Sequence, residues 1–178
     1  MSLPACRLQG LVYRGHNPRW SHAPESGEGA RRHGGRFNPP GSAALYTSLR
    51  PETAWLEAQQ GFPFKPQPLT LCAYEVDCAD IVDLTGSGVL ATLETDAVRL
   101  ACGWEDLAGR GLVPPSWALA ERLRAQGAAG IRVRSFAPGA DPARDLNLVL
   151  WRWSRELPHR VQVIDDAGRL PIDDLSWR

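Results

Sequence analysis

An α+β fold in a single domain, residues 1–178, is what the sequence predicts, on three observations. The chain is 178 residues long and 43% hydrophobic, enough for one core whose burial outweighs chain entropy and too short for a second. Strand-like and helix-like stretches are interspersed without the regular alternation that builds a parallel βαβ sheet. Seventeen glycines and fifteen prolines fall short of a disordered composition and instead imply many turns between short elements.

The elements follow in order. Gly10 to Arg14 (GLVYR) reads as a short strand, and Gly15 to Gly35 is polar, glycine-rich and without hydrophobic period, which predicts a long loop of the kind that is usually functional or mobile. Arg36-Phe37-Asn38 and a Pro-Pro-Gly turn lead into a strand at Ala43 to Thr47. Pro51 opens a helix running to Gln60, with Glu52 in its first turn, Glu57 in its middle and Gly61 as its stop. Leu69 to Val76 alternates as a half-buried strand, and Ile81 to Leu84 reads as a second, shorter one. Residues 85–112 suggest short helices. Ser116 is placed to cap a helix from Trp117 to Gln126 that carries Leu119, Ala120 and Leu123 on one stripe, with Gly127 ending it. Gly130 to Arg134, Leu146 to Trp151 and Val161 to Ile164 complete the strands, the last turning at Asp166-Ala167-Gly168.

Charge and cysteine content exclude several classes. No apolar run reaches the ~18 residues of a membrane span, and Met1 to Gly10 lacks the regions of a signal peptide, so a cytoplasmic location is expected. Cys6, Cys72, Cys78 and Cys102 show no metal-ligand spacing, and neither a disulfide nor a metal is assigned. Net charge is zero, yet residues 1–50 carry seven arginines against Glu25 and Glu28. Nineteen of the twenty basic residues are arginine, whose planar fork suits phosphate, so an anionic ligand near the first third is expected rather than a general nucleic-acid surface.

Arg14, Arg36, Glu57 and Ser135 each stand at an element edge or within an apolar pattern. Any one of them has an ordinary reading as a surface charge or turn residue. Together, two cationic forks, a carboxylate and a hydroxyl suit a phosphorylated ligand whose reacting centre develops positive charge. Gly34-Gly35-Arg36 matches no phosphate-loop fingerprint. His16, His22, His33 and His159 are scattered and read as solvated loop residues, and Trp104, Trp117, Trp151 and Trp153 as core and rim anchors.

Six segments in succession carry a resemblance. They are Tyr13-Arg14, Gly35-Arg36-Phe37-Asn38-Pro39-Pro40-Gly41, Ala44-Leu45-Tyr46 with Thr47-Ser48, Pro51 through Glu57, Gly130-Ile131 through Ser135, and Asn147 through Leu150. In this order, over about residues 11–151, the chain resembles the RES-domain family, named for its arginine, glutamate and serine. The resemblance implies a toxin of a bacterial toxin–antitoxin pair, with split mixed β-sheets like those of ADP-ribosyltransferases flanked by short helices. It implies that NAD is a substrate rather than a cofactor, that it is degraded or its ADP-ribose transferred to a protein such as phosphoribosyl pyrophosphate synthetase, and that a cognate antitoxin blocks the site. By matching motif, Arg14 and Arg36 correspond to the NAD-binding arginines, Tyr46 to the active-site tyrosine, Glu57 to the catalytic glutamate and Ser135 to the family serine, with Asn147 on the substrate side.

One departure is Arg50, which stands where a small cap residue often precedes the helix proline. The acidic C-terminal extension, residues 152–178 with Asp165, Asp166, Asp173 and Asp174, lies outside the motifs and is read, with Trp151-Arg152-Trp153, as a partner surface. The Gly15 to Gly35 loop is the candidate for choosing the acceptor. Alternatives to an NAD-consuming enzyme are a ribonuclease or nucleic-acid-binding toxin, suggested by the basic first third, and a non-catalytic interaction domain. With the first reading, nucleic acid is met only through the antitoxin, and no membrane partner is expected.

Overall fold

The structure, a computed structural model, describes residues 3–60, 64 and 66–178; the expected helix stop at Gly61 lies outside them. Five strands close into a ring, and the longest makes closure possible. β3 (Thr70–Asp83) runs antiparallel to β1 (Ala5–His16) from His16 opposite Thr70 to Ala5 opposite Val82. Its other edge carries β6 (His159–Val163) antiparallel and β4 (Gly130–Arg134) parallel, one after the other. β4 pairs with β5 (Leu146–Leu150), β5 with β2 (Leu45–Ser48), and β2 returns to β1 through the pair Ser48–Tyr13.

The order β1–β2–β5–β4–β3 therefore closes on itself, with β6 as an outer branch. Mixed strands and short helices confirm the α+β class, but the strands form a closed ring where split sheets were expected. The reason is β3, whose 14 residues carry two neighbours on one edge while β1 occupies the other. The sequence reads β3 as two strands because Cys78-Ala79-Asp80 interrupts its apolar pattern. Instead Asp80 takes a φ of 59°, the register with β1 shifts between Cys6 and Leu8, and one bent strand passes through.

Alternation along the strands sorts side chains into two cores. Val12, Leu45, Tyr74, Val76, Leu148 and Leu150 pack together on one face. Ile131, Val133 and Val149 point the other way, against Leu90 of α3 (Ser87–Thr92), Leu100 of α4 (Ala97–Leu100) and Leu119 and Leu123 of α6 (Pro115–Ala125). β5 is thus buried on both faces, which accounts for its near-continuous apolar run.

The stripe Leu119, Ala120, Leu123 is buried as expected, and Gly127, at φ 98°, follows the helix end. Ser116 is not the cap. Pro114 holds that position and Pro115 the first helical one, leaving Ser116 fully buried within the first turn. The short helices expected between 85 and 112 are α3, α4 and α5 (Trp104–Gly109). The long loop expected over 15–35 is in part built into elements: β1 continues to His16, a 3-10 turn follows at Pro18–Trp20, and α1 (Glu28–His33) precedes Gly34. Among the described residues no helix is long and apolar enough to cross a membrane.

Candidate active site

The segment Gly35-Arg36-Phe37-Asn38 is a tight turn held from four sides. Gly35 and Asn38 bridge one another, Trp117 Nε1 donates to the Gly35 carbonyl at 2.7 Å, and Trp151 Nε1 donates to that of Phe37 at 3.0 Å. Tyr46 lies beneath: its hydroxyl donates to Asn38 Oδ1 at 2.7 Å and accepts from the Phe37 amide at 2.9 Å. Burial pushes the Tyr46 hydroxyl well above the ordinary tyrosine range. Asn38, fully buried, donates to the carbonyls of Ala30 and Ser42. Only glycine fits at 35, because a Cβ there would stand 2.5 Å from the Tyr46 oxygen.

This turn projects Arg36. Its Nη1 donates to the carbonyls of Leu100 at 3.1 Å and Cys102 at 2.6 Å, and its guanidinium lies 4.4 Å from the centre of the Phe136 ring. Burial lowers its proton affinity, while Cys102, Glu57, Tyr46 and Glu105 raise it. Arg14, near the end of β1, donates from Nη1 to the carbonyls of Pro24 at 3.0 Å and Ser26 at 3.1 Å, and Tyr74 also donates to Pro24. Each arginine thus anchors a neighbouring segment through one terminal nitrogen of a five-donor fork.

α2 (Pro51–Gln59) supplies the carboxylate. It approaches β1 closely at Gly15, where a Cβ would meet that of Ala58 at 3.0 Å. The start of the helix is tied down from across the molecule: Arg50 makes no side-chain cap, but buried Asp145, just before β5, accepts from the Thr53 hydroxyl at 2.6 Å and pairs with Arg50 at 3.3 Å. Thr53, the Asp141 amide and Arg50 hold the Asp145 carboxyl below its ordinary range. Two turns on, Glu57 Oε1 accepts from Ser135 Oγ at 2.6 Å and from Asn147 Nδ2, and Oε2 accepts from Gln60 Nε2. Asn147 Oδ1 in turn accepts from Ser48 Oγ at 2.7 Å.

Arg14, Arg36, Tyr46, Glu57 and Asn147 all line one cleft of about 630 Å³ between β1, β2 and α2, with Trp104 and Glu105 on its α5 side. That volume suits a small molecule or nucleotide. Five of the six predicted site residues converge on it; Ser135 meets it through Glu57. Sequence reasoning missed Ser48, Asp145, Gln60 and the pair Trp104 and Glu105. Gln60 was accessible from its position three residues after Glu57 on a helix, whereas the others depend on contacts far apart in the chain.

Two readings are corrected. His16 is not solvated: it is 8% exposed, neither ring nitrogen has a partner, and burial, aided by Arg14, lowers its pKa to about 4. His159 lies within β6 with Nε2 3.0 Å from Asp80. The tryptophans do act as anchors, Trp153 through the Glu25 carbonyl and Trp104 against Trp117.

Fold and cleft define an α+β protein that gathers a hydrogen-bonded carboxylate and two arginines on one cleft, a set of groups able to hold an anionic ligand and stabilise positive charge in it. The RES-domain family model matches residues 11–173, and the chain belongs to that family. The match continues past Trp151 and takes in β6. A comparison with curated proteins finds no match.

Proposed function

We propose that this protein is an NAD-consuming toxin of a toxin–antitoxin pair, which cleaves the nicotinamide–ribose bond and passes ADP-ribose to a protein, water or phosphate. The observation that carries the reading is the convergence of Arg14, Arg36 and Glu57 on one cleft in a member of the RES-domain family. The arginine forks suit a pyrophosphate, each having donors beyond the nitrogen that holds its backbone carbonyls.

Bond cleavage develops oxocarbenium character at the ribose, as in glycoside hydrolysis, while the pyridinium leaves as neutral nicotinamide and needs no proton. One carboxylate therefore suffices. Glu57 faces that charge, with Ser135 and Asn147 fixing one of its oxygens. Tyr46 supports the Arg36 turn from below and contributes its ring to the cleft wall. An ADP-ribosyltransferase-like lineage is compatible with a closed ring whose β1–β2 seam is the single pair Tyr13–Ser48. A cognate antitoxin would inhibit by offering the arginines a carboxylate in place of the pyrophosphate, and so would compete with NAD.

Incubation of the purified chain with NAD labelled in the adenylate moiety tests the reading. Free nicotinamide, with label in soluble ADP-ribose product or on protein, supports it. RNA cleavage without nicotinamide release would overturn it in favour of a ribonuclease.

A further inference from the structure

Glu57 depends on a residue outside all the roles assigned so far. Ser48 ends β2 directly opposite Asn147 of β5, so their side chains share a face and stand at cross-strand distance. Ser48 is 2% exposed and Asn147 9%. The Ser48 hydroxyl donates to Asn147 Oδ1 at 2.7 Å, and the other end of the same amide, Nδ2, donates to Glu57 Oε1.

An asparagine amide has one accepting end and one donating end. Turned by 180°, Asn147 would point its carbonyl oxygen at a carboxylate oxygen, two acceptors facing one another with no proton between them. The acceptor-only carboxylate of Glu57 therefore selects the orientation, and the Ser48 hydroxyl, donating to Oδ1, anchors the far end of the amide in it. The register fixes the pair independently of any ligand: Tyr13 lies opposite Ser48 on the other edge of β2, and the Leu49 amide donates to the Leu146 carbonyl at 2.9 Å.

We infer that Ser48 is a positioning residue, acting through Asn147 to hold the Glu57 carboxylate in its working orientation. The inference rests on the proposed role of Glu57, but its geometric part does not depend on which reaction the cleft performs. Ser48 borders the same cleft, and its hydroxyl is engaged with Asn147. Removing its hydroxyl leaves a buried carbonyl oxygen without its donor and loosens the amide at that end, while the arginines that bind anions stay in place.

The test combines side-chain amide NMR with turnover. In the wild-type protein the Asn147 Nδ2 protons, assigned by their disappearance in Asn147→Asp, should be protected from solvent exchange; rapid exchange overturns the inference by itself, whether or not any variant folds. In Ser48→Ala the protection should fall at least tenfold with the backbone spectrum otherwise preserved, and Ser48→Thr, which keeps the hydroxyl, should restore it. Ser48→Cys, close in volume and a weak donor, repeats the test should alanine disturb the strand. For nicotinamide release, kcat should drop about tenfold in Ser48→Ala with KM little changed. Equal protection and equal kcat in wild type and Ser48→Ala contradict the proposal. Absence of nicotinamide release from the wild type refutes the NAD reading, while the exchange measurement still decides the role of Ser48.

Discussion

Ser135 Oγ and Glu57 Oε1 meet at 2.6 Å across 78 positions of sequence, joining the end of β4 to the middle of α2. The same hydroxyl accepts from the Ala137 amide at 3.2 Å, so its proton is directed toward the carboxylate. Ser135 and Glu57 therefore form one hydrogen-bonded unit.

A first prediction follows for Ser135→Ala. Glu57 Oε1 loses one of its two donors, and nicotinamide release should fall about tenfold in kcat with KM near the wild-type value. Ser135→Thr should retain most activity. A large rise in KM at unchanged kcat would assign the hydroxyl to substrate binding instead.

Arg36→Lys should weaken NAD binding about tenfold by calorimetry, because an ammonium cannot hold two carbonyls, stack on Phe136 and present a planar fork to pyrophosphate at once. Hydrogen exchange should rise over residues 100–102, which Arg36 anchors. Arg14→Lys should weaken binding similarly but loosen residues 24–26. Unchanged affinity in both variants would refute the anion clamp.

Gly35→Ala should destabilise the protein by about 1–3 kcal/mol in thermal or denaturant unfolding, since the new methyl group collides with the Tyr46 oxygen and with Asn38 Oδ1 at 2.8 Å. Gly29→Ala is the control. It lies in α1 with open space around its Cβ, and alanine there should be neutral or stabilise by about 0.4–1 kcal/mol. Equal effects at the two positions would contradict the contact argument.

His16 should make stability depend on pH. Its folded pKa, lowered to about 4, lies below the ordinary 6.5, so between these values the unfolded chain binds the extra proton. Stability contributed by the neutral ring is complete above pH 6.5 and declines as pH falls toward 4, by at most about 1.4 kcal/mol per pH unit. Glu28 and Asp77, both held near 2 chiefly by arginine partners, keep their contributions above the ordinary carboxylate range and lose them from there down toward pH 2. Denaturant midpoints from pH 7 to 4.5 should fall for the wild type and flatten in His16→Gln; parallel curves would exclude His16 as the cause.

Much of this architecture was legible in the sequence because local chemistry fixes it. Pro51 starts α2, the Leu119, Ala120 and Leu123 stripe marks α6, and Glu57 falls within the helix that Pro51 opens. Ring closure was not legible: it depends on β3 bending at Asp80 and on the pair Tyr13–Ser48, neither of which leaves a periodic trace. Nor was the support of the site, because Asp145, Ser48 and Trp117 reach their partners only after folding. Burial of His16 leaves no trace in the sequence because its neighbours are polar, while the strand that buries it is defined by pairing with Thr70 rather than by apolar residues.

In the proposed function Glu57 carries the chemistry while the arginines bind. Nicotinamide release from NAD by wild type, Glu57→Gln and Glu52→Gln tests it most directly. Glu52 is exposed in the first turn of the same helix, and its substitution should leave turnover close to wild type. Glu57→Gln keeps the size of the side chain and removes its charge, and turnover should fall by about 10²–10³ with the fold and NAD binding retained. Near wild-type turnover in Glu57→Gln would contradict the account.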